Sequence, residues 1–410
     1  MTLREDAEQI IRKSIRAVLP DEAVRKALEG RKFGQGKLYM VAAGKAGWQM
    51  AKTAADILGD RLAAGVVVTK YSHVKGEIPR TKCYEAGHPV PDENSFLATQ
   101  AALDLAAKAG AGDEVVFLLS GGGSALFEKP LVSGEELRDV TEQLLACGAD
   151  IVEMNTIRKR LSAVKGGRFA LACGPARVFG IVLSDILGDP LDMIASGPAV
   201  PDSSTCEEAA AIAKKYKLKL SDEAWAFLQK ETPKKLTNVE TQITGSVSDL
   251  CRAAAVSCRE LGYETVILTD QLNCEAREAG RFLSAIARTH QNTEKSLAFL
   301  AGGETVVHLT GKGKGGRNQE LALAAAEGIA GLADTAVFSF GSDGTDGPTD
   351  AAGGCCDGHT REKLVAEGVS IYETLRDNDA YHALEKADGL LFTGATGTNV
   401  NDVAVLLIRR

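Results

Sequence analysis

Short, almost uninterrupted runs of Val, Ile, Leu and Ala recur along this chain, and most are separated by stretches of helical periodicity. In the first half they are "KLYMVAA" (37–43), "AGVVVT" (64–69), "EVVFLL" (114–119) and "RVFGIVLS" (177–184). In the second half come "ETVILT" (264–269), "KSLAFLAG" (295–302), "ETVVHLT" (304–310), "TAVFSF" (335–340), "GLLFTG" (389–394) and "VAVLLI" (403–408). Runs without polar alternation predict strands covered on both faces. Helical segments over 97–109, 206–215, 247–261 and 318–330 lie between them, so the chain reads as an α/β protein of βαβ units. Residues 295–310, with Gly-Gly at their centre, and residues 389–408 have the spacing of hairpins, which would make the second sheet mixed.

At 410 residues the chain is long enough for two domains. The polar, lysine-rich stretch 217–241 marks the boundary, giving a first domain over 1–232 and a smaller second one over 233–410. The formal net charge of -8 argues against a nucleic-acid partner, because a phosphate backbone demands a basic footprint. Small anionic substrates need only a local cationic pocket. The nine cysteines are scattered without a C-x-x-C pair, as in a reduced, cytoplasmic protein. The N-terminus is charged and helical in pattern rather than a signal peptide, and no run has the length of a membrane span. An oligomer is allowed but not required.

Ligands of open α/β sheets sit outside the carboxyl ends of the strands, so the residues that follow each strand are the candidates. After 37–43, Gly44 and Gly47 permit a sharp turn into a helix, and Lys45 in that turn either meets a phosphate or is an ordinary exposed lysine. The Walker spacing is absent. After 114–119, Gly121, Gly122 and Gly123 stand between Ser120 and Ser124, a backbone nest suited to an anion. It lacks the G-x-S-x-G pattern of an esterase elbow. Residues 155–170 predict one helix stopped at Gly166-Gly167, with Asn155, Arg158, Ser162 and Lys165 on a single face. That face is either solvated or turned to an anionic site.

Asp185 follows the strand at 177–184, with Asp189 and Asp192 close behind. A carboxylate there can act as a base, hold Mg²⁺ or cap a turn. Gly311, Gly313 and Gly316 satisfy G-x-G-x-x-G, a weak signal alone, and Lys312, Lys314 and Arg317 suit ATP phosphates better than a dinucleotide. His88 lies in a proline-bound loop, and none of the six histidines has a zinc spacing. "SFGSDGTDGPTDAAGG" (339–354) is not an EF-hand, since Gly354 stands where the twelfth-position glutamate would be. Asp343 and Asp346 are expected to face ligand and Asp350 to cap a helix or turn.

Nine segments in one order carry a resemblance: "AAGKAG", "GHPVPDENS", "LLSGGGSAL", "NTIRKRLSAVKGGRFA", "SDILGD", "IASGPAVPD", "LAGGETVVHLTGKGKGGRNQELALA", "FGSDGTDGPTDAAGG" and "TGATGTNVND". Together they resemble the glycerate 2-kinases of the MOFRL type, relatives of which are often called hydroxypyruvate reductase. The resemblance implies two α/β domains with a cleft between them, the first built on a mostly parallel Rossmann-like sheet and the second, of MOFRL type, on a smaller mixed sheet. It also implies transfer of the ATP γ-phosphoryl group to the 2-hydroxyl of D-glycerate with Mg²⁺.

By this likeness Lys45, Asp185 and Arg317 would be catalytic. Lys45 would neutralise phosphate or glycerate charge, and Arg317 would stabilise the transition state. Asp185 would activate the hydroxyl or, with Asp189, bind the metal. Ser120 to Ser124, Arg158, Lys165, Glu304, Lys314, Asn318, Asp343 and Asp346 would meet substrate or nucleotide. Val247 stands where similar proteins usually carry asparagine. The rival readings are an NAD(P)H-dependent hydroxypyruvate reductase and a non-catalytic sensor of sugar acids or nucleotides.

Overall fold

The computed structural model describes residues 2–410. The chain divides into two compact units, one formed by Ala23–Thr244 and the other by Gly245–Arg410 together with the N-terminal segment up to Glu22.

The first unit contains six strands, β1 Leu38–Ala43, β2 Leu62–Lys70, β3 Thr81–Ala86, β4 Glu114–Leu119, β5 Arg177–Leu183 and β6 Val239–Gly245, in the order β3-β2-β1-β4-β5-β6. The pairings of β1 with β2 and β4, of β2 with β3 and of β4 with β5 are parallel. Every residue of β1 and β4 is buried, as their unbroken apolar runs predict. The order reverses between β1 and β4, and ligands of such sheets bind at the carboxyl ends of the strands flanking that reversal. Phe117 of β4 packs against Phe127 and Phe169, with ring centroids 5.5 and 4.7 Å away. All three rings are fully buried, each contributing on the order of 2–3 kcal/mol. They anchor the chain on both sides of the loop that follows β4.

The second unit contains β7 Glu264–Leu272, β8 Leu297–Gly303, β9 Thr335–Gly341, β10 Gly353–Asp357, β11 Leu390–Leu391 and β12 Asp402–Ile408, in the order β11-β10-β9-β12-β8-β7. Only β7 and β8 pair in parallel, so this sheet is mixed. Helices Ala276–Thr289 and Arg317–Ile329 share a core with it and approach each other closely. A Cβ on Gly280 would come within 2.2 Å of the Leu321 carbonyl oxygen, and one on Gly328 within 2.1 Å of Ser284 Oγ.

The division differs from the expected 1–232 and 233–410. Helix Leu3–Ala17 buries Ala7, Ile10, Ile11 and Ile15, and its Asp6 accepts from the buried Tyr263 hydroxyl at 2.6 Å, which ties it to the second unit. Residues 233–244 stay with the first unit because β6 completes its sheet.

Four local expectations need correction. Residues 304–310 are not a strand: apart from a bridge at Val306, their backbone turns to Asn378, whose Oδ1 accepts from Thr310 and Gly311 N–H at 2.8 and 2.9 Å. The hairpins at 295–310 and 389–408 are therefore absent, and β11 and β12 are not neighbours. Residues 155–170 do not form one helix, because helix Ile151–Arg160 ends and a turn precedes the next helix, Arg168–Ala172. Strands β3, β6 and β10 carry no apolar run. The first two are the edge strands of their sheet, β6 with alternating exposure and β3 mostly half-buried. In β10, Gly353 is required because a Cβ would come within 1.9 Å of the Ser339 carbonyl.

Candidate active site

The turn after β1 and the loop after β4 are held together by their backbones. Lys45 N–H donates to Gly121 O at 2.9 Å, Ser120 N–H to Ala43 O at 3.0 Å and Ala46 N–H to Ser120 Oγ at 3.1 Å. Gly44 has φ +121°, and a Cβ there would lie 2.2 Å from Ser120 Oγ. Only glycine permits both this conformation and this approach. Gly122, at φ +85°, is the second such position.

The space over these glycines locates the side chains around them. A Cβ on Gly122 would lie 3.2 Å from the Lys45 side chain and 3.1 Å from His88 Nε2. A Cβ on Gly121 would lie 2.4 Å from Asp185 Oδ2. Lys45, His88 and Asp185 therefore border two successive peptides of one loop, although they come from three strand ends. Among the described residues no carboxylate pairs with the Lys45 ammonium, and nothing hydrogen-bonds the His88 ring. Burial, followed by the charge of Lys45, pushes the pKa of His88 below its usual 6.5, so the imidazole is neutral at pH 7.

Two cations stand behind the loop. Arg158 Nη2 donates to Ser124 O at 3.3 Å, and the buried Arg158 Nε has no protein acceptor. Lys165 was expected to face a ligand, but it is fully buried. It donates to Ser124 O at 2.8 Å and forms a 3.3 Å ion pair with the equally buried Glu128. Burial pushes its pKa down to about 8. Lys165 therefore fixes the end of the Ser120–Ser124 loop from inside. The helix stops at Arg160, so Lys165 does not share a helical face with Asn155, which accepts from Ser196 Oγ at 2.9 Å instead.

Asp185 is half-buried just beyond β5. Asp189, four residues on, takes the left-handed conformation with φ +52°, and its Oδ1 is buried without a hydrogen-bond partner. The orphaned Asp189 oxygen is a hard donor of the kind Mg²⁺ uses, and Mg²⁺ commonly takes one or two protein carboxylates and completes its shell with water and phosphate. Among the described residues the cluster of three metal-ligating side chains is Cys206, Glu207 and Glu231, a partly exposed group that includes neither Asp185 nor Asp189.

In the second unit Arg317 opens helix Arg317–Ile329. It holds Asp402 through Nε at 2.5 Å and Nη2 at 3.2 Å, and Glu304 through Nη1 at 2.6 Å. Asn401 Nδ2 donates to the other Glu304 oxygen at 3.2 Å. Asn401 and Asp402 were not singled out from the sequence; "TGATGTNVND" was the signal, since its last residue begins β12.

The glycines of G-x-G-x-x-G serve the chain's own packing. A Cβ on Gly311 would come within 2.2 Å of Asp377 O, one on Gly313 within 2.4 Å of the Asp379 side chain, and one on Gly316 within 2.2 Å of the Asp346 carboxyl carbon. The close approach that a dinucleotide pyrophosphate needs is occupied by protein. Lys314 Nζ sits 3.8 Å from the Tyr381 ring centre, a cation–π contact.

The aspartate-rich loop also differs from expectation. Asp346 is buried and caps helix Arg317–Ile329 from outside the helix, accepting from Asn318 N–H at 3.1 Å and Gln319 N–H at 2.8 Å. Asn318 is buried too, between Asp346 and Ser339 Oγ, 2.5 Å from its Oδ1. Neither is open to a ligand. Asp350 is exposed and accepts from the Tyr381 hydroxyl at 2.9 Å. Asp343 is half-buried and accepts from Thr345 N–H at 3.0 Å through Oδ1, which leaves its other oxygen for a ligand.

Two family models match the chain. A family described as "Domain of unknown function (DUF4147)" matches residues 6–229, and the MOFRL family matches residues 297–402. The two matches define the class, an α/β protein that joins a DUF4147 module to a MOFRL module. The chain is 50% identical to the D-glycerate 2-kinase of Thermotoga maritima over 99% of each sequence. The crystal structure of the glycerate kinase from that organism covers 99% of both chains with a TM-score of 0.94. The glycerate 2-kinase of Pyrococcus horikoshii is 40% identical over 100% of this chain and 98% of its own. A relative from Agrobacterium vitis that carries a hydroxypyruvate reductase name is 38% identical, over 91% of this chain and 88% of its own. This chain belongs to the glycerate 2-kinase family.

Proposed function

We infer that this protein is an ATP-dependent D-glycerate 2-kinase, a phosphotransferase acting on an alcohol group and forming 2-phosphoglycerate. One observation carries the reading: an unpaired lysine and a strand-end carboxylate border successive glycines of a loop whose backbone is locked to the Lys45 turn. Phosphoryl transfer asks for that provision, namely positioned positive charge and backbone around the phosphoryl oxygens, with little covalent help. The kinase names of relatives at 50% and 40% identity support the same reading.

Lys45 neutralises charge on the anionic reactants, and Arg158, with its unsatisfied Nε, adds positive charge behind the loop. Asp185 and Asp189 would hold Mg²⁺, which when bound supplies charge neutralisation of the phosphates. Arg317, set in place by Asp402 and Glu304, stabilises developing charge on the transferred group. Glycerate and ATP are the small-molecule partners. No described helix is long and apolar enough to cross a membrane, and nine free cysteines fit a reducing, cytoplasmic compartment.

The reductase alternative rested on G-x-G-x-x-G, whose glycines are used in internal packing. One pair of assays separates the readings. ADP formation from ATP and D-glycerate is expected, with direct coupling to enolase in the absence of mutase reporting the 2-isomer. NADH oxidation by hydroxypyruvate without any ADP formation would overturn the kinase reading, and ligand binding without turnover would favour a sensor.

A further inference from the structure

The kinase reading leaves one chemical task unassigned. When the glycerate 2-hydroxyl attacks phosphorus its proton must leave, and the proposed function gives Asp185 and Asp189 to the metal. We propose that His88 accepts that proton.

Four observations place it there. His88 follows β3 directly after Gly87, at a strand end on the ligand side of the sheet. Its loop is firmly seated: Asp92 caps helix Glu93–Ala106 through Ser95 N–H at 3.0 Å and accepts from the Tyr71 hydroxyl at 2.6 Å. The Cδ2–Nε2 edge of its ring borders the Gly122 peptide, the same peptide that Lys45 borders. The ring has no hydrogen-bond partner among the described residues, although it is half-buried. An imidazole used only for structure would ordinarily be tied down by such a bond.

The electrostatics agree. The charged groups that face the ring are Lys45 from the turn after β1, and Lys70 and His73 from the end of β2 and the turn beyond it. With burial they favour the neutral ring, which can take a proton. The chemical balance is simple. The glycerate O–H bond breaks, and its proton goes to the imidazole nitrogen. The O–P bond forms, and the bond from the γ-phosphorus to the bridging oxygen breaks, with ADP leaving on that electron pair. The imidazolium then returns its proton to solvent. Its positive charge, beside Lys45, also opposes the negative charge of the product phosphate.

The test uses the full-length protein with Mg²⁺, ATP and D-glycerate and reads ADP release against pH. Wild-type kcat should fall on the acid side, as His88 becomes protonated at a pH below the usual imidazole range. His88→Gln should lower kcat at least about 100-fold, keep the glycerate KM within about threefold and lose the acid limb. His88→Ala should recover turnover on addition of free imidazole. A His88→Gln variant with near-native kcat and the wild-type acid limb overturns the assignment, as does failure of imidazole to rescue a folded His88→Ala protein. Should His88→Ala not fold, the nearly isosteric His88→Gln decides alone. An active wild type with an unaffected His88→Gln variant removes only the role of His88, whereas a wild type that forms no ADP removes the kinase reading itself.

Discussion

Arg317 grips the Asp402 carboxylate with Nε at 2.5 Å and Nη2 at 3.2 Å, while its Nη1 reaches Glu304 at 2.6 Å. One guanidinium thus bridges two carboxylates drawn from β12 and from the segment after β8. Burial raises the pKa of Asp402, and the guanidinium opposes that shift. A planar fork can do this and still present N–H groups to a phosphoryl oxygen, whereas an ammonium cannot. Arg317→Ala is expected to lower kcat by at least about 100-fold. Arg317→Lys should restore little of it, because it keeps the charge and loses the bridge. Steady-state ADP release measures both, and a near-native Arg317→Lys would exclude a bidentate role.

Lys45 presents the opposite situation. Its side chain is exposed and pairs with no carboxylate among the described residues. Its backbone N–H, which any residue but proline would supply, makes the bond to Gly121. Lys45→Ala should therefore leave the melting temperature within about 2 °C of wild type, as surface substitutions do. The same variant should lose at least about 100-fold in kcat/KM. A large loss of stability with intact specific activity would make Lys45 structural.

These contrasts show what the chain's pattern can disclose. β1 and β4 are legible because both faces are buried, so no polar residue interrupts them. Lys45 and the Ser120–Ser124 loop are legible because glycines follow those strands. Asp346 was not, because the N–H groups it caps lie 28 and 27 residues earlier, and a cap supplied from another segment leaves no local spacing. Arg317 was found from its own motif, yet its partner Asp402 stands 85 residues away. Lys165 was misplaced for a different reason. A helical period was extended past Arg160, where the helix ends, and burial rather than periodicity decides where that lysine points.

Asp346 should make stability depend on pH. Burial pushes its pKa from 3.8 up to about 7, although Gln319 and Asn318 N–H groups oppose the shift. A carboxyl group with a raised native pKa binds more protons folded than unfolded between those values. Its contribution to stability is therefore full below about pH 4, declines as pH rises and is gone above about pH 7. Asp346→Asn keeps an acceptor for the helix cap and cannot ionise. Relative to wild type, its melting temperature should be more favourable at pH 8 than at pH 5. A difference that does not change with pH would show that Asp346 does not titrate in this range.

The buried pair of Lys165 and Glu128 leads to the last expectation. Both side chains are inaccessible to solvent, 3.3 Å apart, and Lys165 also donates to the carbonyl of Ser124 at the end of the anion loop. Removing the lysine alone strands a carboxylate in the core, so Lys165→Met should cost about 3–5 kcal/mol of stability. The double variant Lys165→Met, Glu128→Gln removes both charges and should recover most of that loss. It does not restore a donor for Ser124 O, leaving Arg158 Nη2 at 3.3 Å to hold that carbonyl. The double variant should therefore fold well yet bind its anionic substrates more weakly, with KM raised several-fold and kcat changed less. Denaturant unfolding beside steady-state kinetics tests the two halves separately. Recovery of stability together with native KM would mean that the pair holds the core and not the loop.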